Sequence, residues 1–317
     1  RTIPAMMMMA DINPHLMNDK LKLIVVSGPT AIGKTDLSIQ LAKALDCDII
    51  SADSRQIYRE MDIGTAKPSP QELATIKHYF INYKSIHDYY SAGRFEVDTI
   101  ELLKRYKKDV VLLTGGSGLY IQAVCDGIDE FPGPDHGLRN LLQGRLDDYG
   151  LDSLVDELKR LDYNTWKTID LKNPKRVLRA LEIIHQTGEK YSDLKSQSRK
   201  SRNFDILKIG LDMPREGLFD RINQRVDRML EAGLLEEVKS LMPYRDLTAL
   251  QTVGYTEFFE YLDGKYDLDE AVRLCKRNTR RYAKRQLTWF RKDTGIHWFA
   301  PDSYEKIITL IRGFIVS

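Results

Sequence analysis

Cysteine is scarce in this chain: three residues in 317, Cys47, Cys125 and Cys275, lie far apart and form no C-x-x-C pair. That spacing offers neither a disulfide framework nor a cysteine zinc site, and it suits a reducing cytoplasm. Long apolar runs are lacking too. No stretch approaches the roughly 18 residues of a membrane span, and the run Met6 to Met9 is too short for the apolar segment of a signal peptide. Charge of one sign does not dominate: 48 Lys and Arg stand against 46 Asp and Glu, a net +2. Any attraction for nucleic acid must therefore come from local clusters. Beyond the Met run there is no low-complexity tract and no internal repeat. The segment 1–20, opening on Arg1, is expected to be disordered, and a monomer is the default expectation. The whole chain is 42% hydrophobic, enough core for one large domain or two unequal ones.

What is present starts with Gly28-Pro29-Thr30-Ala31-Ile32-Gly33-Lys34-Thr35. It fits G-x-x-x-x-G-K-[ST] at every fixed position and directly follows the apolar run Leu23-Ile24-Val25-Val26. A buried strand, a glycine-rich turn and a helix over Asp36 to Ala44 aim backbone N–H groups at one point, where the positive end of the helix dipole adds to them. Such a P-loop holds a diphosphate. Lys34 supplies a point charge to the terminal phosphate, and the Thr35 hydroxyl is a candidate ligand for a Mg²⁺ ion bridging phosphate oxygens. The motif alone suits ATP as well, and a turn that binds nothing is the bland alternative.

Apolar runs of strand length recur at Ile49 to Ala52, Tyr79 to Tyr83, Val110 to Leu113 and Ile206 to Leu211. Helical patterns separate them, as over Phe95 to Lys107, where Phe95, Ile100, Leu103 and Tyr106 fall at helical spacings. The alternation predicts an α/β fold, a P-loop NTPase-like parallel sheet flanked by helices. The turn-rich segment Asp126 to Pro134 interrupts it, and the chain to about Arg202 reads as helices only. We therefore expect a core of residues 21–126 and 203–317, whose second part carries an amphipathic helix over Phe219 to Ala232, and an inserted all-helical lobe at 127–202. Ligands of such sheets sit beyond the carboxyl ends of the strands. That groups the P-loop with Asp53-Ser54-Arg55-Gln56 and Gly115-Gly116-Ser117-Gly118.

Asp53 at that edge could act as a base, hold Mg²⁺ or cap its turn. Two clusters break the overall neutrality: nine Lys or Arg and no acid from Arg273 to Lys292, and nine against three acids from Lys172 to Arg202. Each reads either as a solvated helix face or as a grip on RNA phosphates. Tyr282, Trp289 and Phe290 could stack on bases, but Tyr282 and Trp289 are seven apart and are expected to form a core-facing stripe.

The stretch Asp53-Ser54-Arg55-Gln56-Ile57-Tyr58-Arg59, followed by Met61-Asp62-Ile63-Gly64-Thr65-Ala66-Lys67-Pro68, resembles the tRNA dimethylallyltransferases, also called tRNA isopentenyltransferases, of bacterial type. The resemblance continues through Gly115-Gly116-Ser117-Gly118-Leu119-Tyr120, Asn173 to Glu182, Val253-Gly254-Tyr255 and Ala283-Lys284-Arg285-Gln286-Leu287-Thr288-Trp289, in family order, from Leu21 to Phe299. Two positions depart from the common pattern: Ser117 is often Thr, which keeps the hydroxyl, and Arg55 is often Ala.

The resemblance implies transfer of a dimethylallyl group from dimethylallyl diphosphate to N6 of adenosine 37, in tRNAs that read codons starting with U. It implies Asp53 as the proton acceptor, and Lys34, Thr35 and Arg221 beside the departing diphosphate in the loop Gly28, Pro29, Thr30, Ala31, Ile32, Gly33. Mg²⁺ is the implied cofactor. On the tRNA side it implies Asp53, Ser54, Arg55, Gln56 and Ser117 near the base, with Lys175, Arg176, Val177, Leu178, Arg179, Lys284 and Arg285 along the RNA. Rival readings are a prenyltransferase acting on free AMP, ADP or ATP, a nucleoside or nucleotide kinase, and a non-catalytic RNA-binding protein.

Overall fold

The computed structural model describes residues 20–129, 131–195 and 200–317. The disorder expected for residues 1–20 lies, Lys20 apart, outside them. Strands β1 (Leu21–Ser27), β2 (Asp48–Ser51), β3 (His78–Tyr79), β4 (Val110–Gly115), β5 (Phe204–Leu211) and β6 (Ile296–Phe299) form one parallel sheet in the order β3-β2-β4-β1-β5-β6. Strand β1 is central, and its Leu23 to Val26 are buried on both faces, as parallel strands covered by helices must be. The P-loop thus starts from the best-shielded strand.

Helices α1 (Lys34–Ala44), α2 (Pro70–Thr75), α3 (Ala92–Arg105) and α4 (Gly118–Asp126) connect the first strands. Compactness divides the described residues into a unit that pauses at Cys125 and resumes at Arg202, and a second unit of Asp126–Ser201. The second unit contains α5 (His136–Leu161), α6 (Tyr163–Thr168), α7 (Pro174–Thr187) and α8 (Tyr191–Leu194). The α/β unit then continues with α9 (Arg215–Glu231), α10 (Leu234–Leu241), α11 (Thr256–Leu262), α12 (Leu268–Phe290) and α13 (Tyr304–Ile315).

Two elements differ from the sequence expectation. The run Tyr79 to Tyr83 gives only the end of a strand, because Phe80 and Asn82 take left-handed backbone angles, φ 63° and 54°. Such angles leave the extended region a ladder needs. Lys67 Nζ fixes that bend by donating to Asn82 Oδ1 at 2.6 Å. Strand β6 carried no clear apolar alternation and was not expected; it pairs with β5 from Lys208↔Ile296 to Leu211↔Phe299.

The helical unit has its own apolar core of Leu142, Leu154, Leu158, Val177, Ala180, Leu181 and Ile184. Its helix starts are capped by side chains: Asp135 accepts from Leu138 N, Asp162 from Thr165 N, and Asn173 from Arg176 N just before Pro174. Helix α5 is kinked at Gly150. Buried Glu182 accepts from Arg139 Nε at 2.8 Å, Arg179 NH1 at 2.8 Å and Asp135 N at 3.0 Å. These bonds outweigh the upward push of burial and hold its carboxyl below the usual range.

Candidate active site

Helix α1 begins without a side-chain cap. Its N-cap is Gly33 at φ 105°, a left-handed angle that costs glycine little and other residues more. The amides of Gly33, Lys34 and Thr35 have no acceptor among the described residues. The usual remedy for orphan first-turn donors is a cap; without one, these donors could hold an anion. Lys34 Nζ folds back to donate to Pro29 O at 2.7 Å and Gly28 O at 3.0 Å. Burial, with Arg225 nearby, pulls its pKa down to about 7, against an opposing pull from Asp53.

Around this loop opens a cleft of about 580 Å³, at the carboxyl ends of β1, β2 and β4. Thr30, Ala31, Ile32, Gly33, Lys34, Thr35, Asp53, Ser54, Arg55, Gln56 and Arg221 line it; Gly28 and Pro29 touch it through Lys34 and Ser117 through Ser54. Asp53 follows β2 and turns back on its own loop: Oδ1 accepts from Arg55 N at 2.8 Å and Gln56 N at 3.2 Å. Its Oδ2 has no donor among the described residues. The carboxylate is therefore fixed in orientation yet half available.

Ser117 and Gln56 are both engaged internally. Ser117 Oγ accepts from Ser54 N at 2.9 Å and lies 3.2 Å from Ser54 Oγ. Gln56 Nε2 donates to Thr65 O at 3.2 Å and Ala66 O at 3.1 Å, and its Oε1 accepts from Ser51 Oγ at 3.3 Å. In this state both side chains shape the turn after β2 and the pocket wall. Arg55 reaches across to Thr248 O at 3.3 Å.

Helix α9 presents Arg221, Arg225 and Arg228 to the cleft. Spacings of four and three put them on one face. Arg221 NH1 donates to Ile32 O at 3.1 Å, against the P-loop. Burial pulls the Arg225 guanidinium below its ordinary range; Asp53 opposes that shift and Arg228 adds to it. Neither Arg225 nor Arg228 has a hydrogen-bond acceptor among the described residues. The sequence reading found only Arg221, although the spacing of all three along an amphipathic helix was visible.

Helix α12 also lines the cleft, through Cys275, Thr279, Tyr282 and Gln286. Tyr282 does not belong to a core stripe as expected: it faces the cleft, where burial and Asp53 push its hydroxyl up to about 12. Trp289 is 39% exposed and packs beside Gly118, so it is no core residue either. Lys284 and Arg285 are exposed, with Arg285 over the Tyr282 ring at 5.8 Å. Other members of the basic run are paired, Arg273 with Glu270, Lys276 with Asp227 and Arg291 with Asp212.

In the helical unit, Lys175 and Arg176 are exposed. Val177 is buried in that unit's core, with Leu178 packed against it. Arg179 turns inward, to Glu182 and to Pro132 O at 2.7 Å.

Among the described residues, no three His, Cys, Asp or Glu converge to cage a metal. The donor set at the loop, Thr35 with Asp36 and Asp53 nearby in the lining, suits a hard cation that takes most of its ligands from phosphate and water.

The parallel sheet, its strand order and the uncapped glycine-rich loop after β1 define a P-loop-like α/β fold. Residues 56–293 match the family model described as IPP transferase, and the chain belongs to that family. It is similar to tRNA dimethylallyltransferase 1 of Bacteroides fragilis, 48% identical over 92% of this chain and 98% of the relative. It is also similar to the tRNA dimethylallyltransferase of Christiangramia forsetii, 50% identical over 90% of this chain and 95% of the relative. Among solved structures, a full-length tRNA isopentenylpyrophosphate transferase from Bacillus halodurans matches with TM-score 0.67 at 39% identity, covering 93% of this chain and 96% of that one. A eukaryotic dimethylallyltransferase acting on tRNA matches with TM-score 0.77 at 27% identity, covering 93% of this chain and 79% of the other.

Proposed function

We propose that this protein is a tRNA prenyltransferase that moves a dimethylallyl group from dimethylallyl diphosphate to N6 of adenosine 37, in tRNAs reading codons that start with U. The observation that carries the reading is a single cleft holding an uncapped, cation-rich P-loop and, beside it, a carboxylate with one free oxygen. The relatives' names support tRNA as the acceptor.

The chemistry follows from the charges. An exocyclic adenine amine is a weak nucleophile, because its lone pair is delocalised into the ring. As N6 attacks the allylic carbon, the C–O bond to the diphosphate breaks and N6 must shed a proton. Asp53 Oδ2 takes it, and the Oδ1 bonds to Arg55 N and Gln56 N hold that oxygen in place. The electron pair leaves on the diphosphate, where the loop amides, Lys34 and Arg221 meet the developing charge. Arg225 lines the same cleft, where Asp53 favours its charge and its own charge lowers the pKa of Lys34. A Mg²⁺ ion, held by Thr35 and the donor's own phosphate oxygens, would neutralise part of the charge on the leaving group. To reach Asp53 the base must leave the anticodon-loop stack, at a cost of a few kcal/mol that contacts in the cleft and along the RNA offset. Lys175, Arg176, Lys284 and Arg285 are the exposed cations proposed for those backbone contacts.

A cytoplasmic monomer suits this substrate, and no described helix is long and apolar enough to cross a membrane. The nearest rival, prenylation of free adenine nucleotides, leaves the basic face of α12 without a task. The test is to offer dimethylallyl diphosphate with tRNA or AMP, and ATP with nucleosides, and to weigh the products. Five carbons gained on a tRNA adenosine support the proposal. Preferential prenylation of AMP, or phosphoryl transfer from ATP, overturns it.

A further inference from the structure

Three loops meet at the cleft, each from a different strand: the P-loop after β1, the Asp53 turn after β2 and the Gly115–Gly118 turn after β4. One side chain from outside the sheet ties the first to the third. Gln286 of α12 is 7% exposed; its Oε1 accepts from Thr30 N at 2.9 Å and its Nε2 donates to Gly116 O at 2.9 Å. The contact is close. A Cβ at Gly116 would lie 2.3 Å from Gln286 Nε2, so only glycine admits the amide there. Ser117, the next residue, carries the link onward to Ser54 N, and Asp53 completes it through Arg55 N and Gln56 N.

The chemistry of the bridge is specific to an amide. A loop N–H needs an acceptor and a turn carbonyl needs a donor, and a primary amide provides both from one end. Glutamate supplies only the acceptor, and methionine of similar length supplies neither. The bridge sets how far the diphosphate loop stands from the turn that orients Asp53. In a displacement reaction that spacing governs whether nucleophile, carbon and leaving group align, and an error of about 1 Å costs on the order of 100-fold in rate.

We propose that Gln286 is a positioning residue for prenyl transfer, fixing the register between the donor loop and the acceptor turn. The inference rests on the function proposed above. It predicts a division of labour in which Gln286 contributes to the transfer step while each half-site keeps its own ligand contacts.

Single-turnover transfer from dimethylallyl diphosphate to tRNA, saturating in both, is measured for the native protein and for Gln286→Met and Gly116→Ala. The second variant displaces the amide without altering it. Both should lose about 10- to 100-fold in the transfer rate, with dissociation constants of donor and tRNA changed less than about threefold and thermal midpoints near native. The double variant should be little worse than either single one, since both remove the same link. Transfer rates within twofold of native in both variants overturn the inference, as does a loss confined to donor affinity, which makes Gln286 a mere ligand contact. If Gln286→Met unfolds, Gly116→Ala alone decides on the same readouts. No transfer by the native protein sinks the proposed function instead, so the two failures are distinguishable.

Discussion

Glu182 in the helical unit and Asp53 in the α/β unit are both carboxylates held by hydrogen bonds, yet their circumstances are opposite. Glu182 is saturated: two arginines and a backbone amide answer both oxygens. Asp53 is saturated on Oδ1 alone. The cations differ in the same way. Arg139 and Arg179 are paired in the helical unit, whereas Arg225 and Arg228 line the cleft with no acceptor among the described residues and Lys34 borrows backbone carbonyls. Satisfied charges hold a fold together, while unsatisfied ones at a pocket wait for a ligand and cost stability until it arrives.

The largest effect expected from that contrast is on chemistry. Asp53→Asn keeps the Oδ1 bonds to the turn and removes only the spare basic oxygen. Single-turnover transfer should fall roughly 10²- to 10⁴-fold with tRNA affinity largely kept; an unchanged rate would make Asp53 a turn residue like any other. The counterpart in the helical unit is Glu182→Gln, which should cost about 2 kcal/mol by denaturant titration at pH 7. Because the carboxyl is held below its ordinary value of 4.5, its contribution is present above that value and lost as pH falls through the lower one. The gap between native and variant should therefore close in acid.

Lys34 should behave in the opposite sense. Its folded pKa, about 7, lies below the ordinary 10.5. Between those values the unfolded chain binds the extra proton, so this group favours folding more as pH rises through that window and penalises the folded state below it. Removing it with Lys34→Met should raise the ligand-free protein's stability at pH 6, on the order of 1 kcal/mol because solvent in the cleft tempers the effect. Donor binding should be lost in the same variant. A destabilised Lys34→Met would instead show that the ammonium supports the ligand-free fold.

Much of this was legible in the sequence because strong local rules agreed. The P-loop stands between an apolar run and a helix, β1, β2, β4 and β5 are apolar runs separated by helical patterns, and Asp53 follows β2. The short β6 failed to announce itself because its neighbours are polar and its burial depends on β5. Gln286 was hidden for another reason: its meaning lies in the loops it meets 256 and 170 residues away in the chain. Arg179 misled in the same way, since a basic helix face and an internal ion pair look alike until the partner carboxylate is located.

A smaller effect sharpens that last distinction. Arg176→Ala should leave the thermal midpoint unchanged and flatten the salt dependence of tRNA binding by about one log–log unit. Arg179→Ala should lower the midpoint through Glu182. Equal behaviour of the two would erase the difference between exposed and internally paired arginines.

The most direct test of the claim that the cleft's charges await an anion is calorimetric binding of dimethylallyl diphosphate, without acceptor, at pH 8 in buffers of different ionisation enthalpy. Lys34 is mostly neutral in the free protein at that pH and becomes charged beside a diphosphate, so native protein should take up about one proton on binding. Lys34→Arg, charged throughout, should take up none. Equal uptake by both proteins, or none by the native one, would contradict the account.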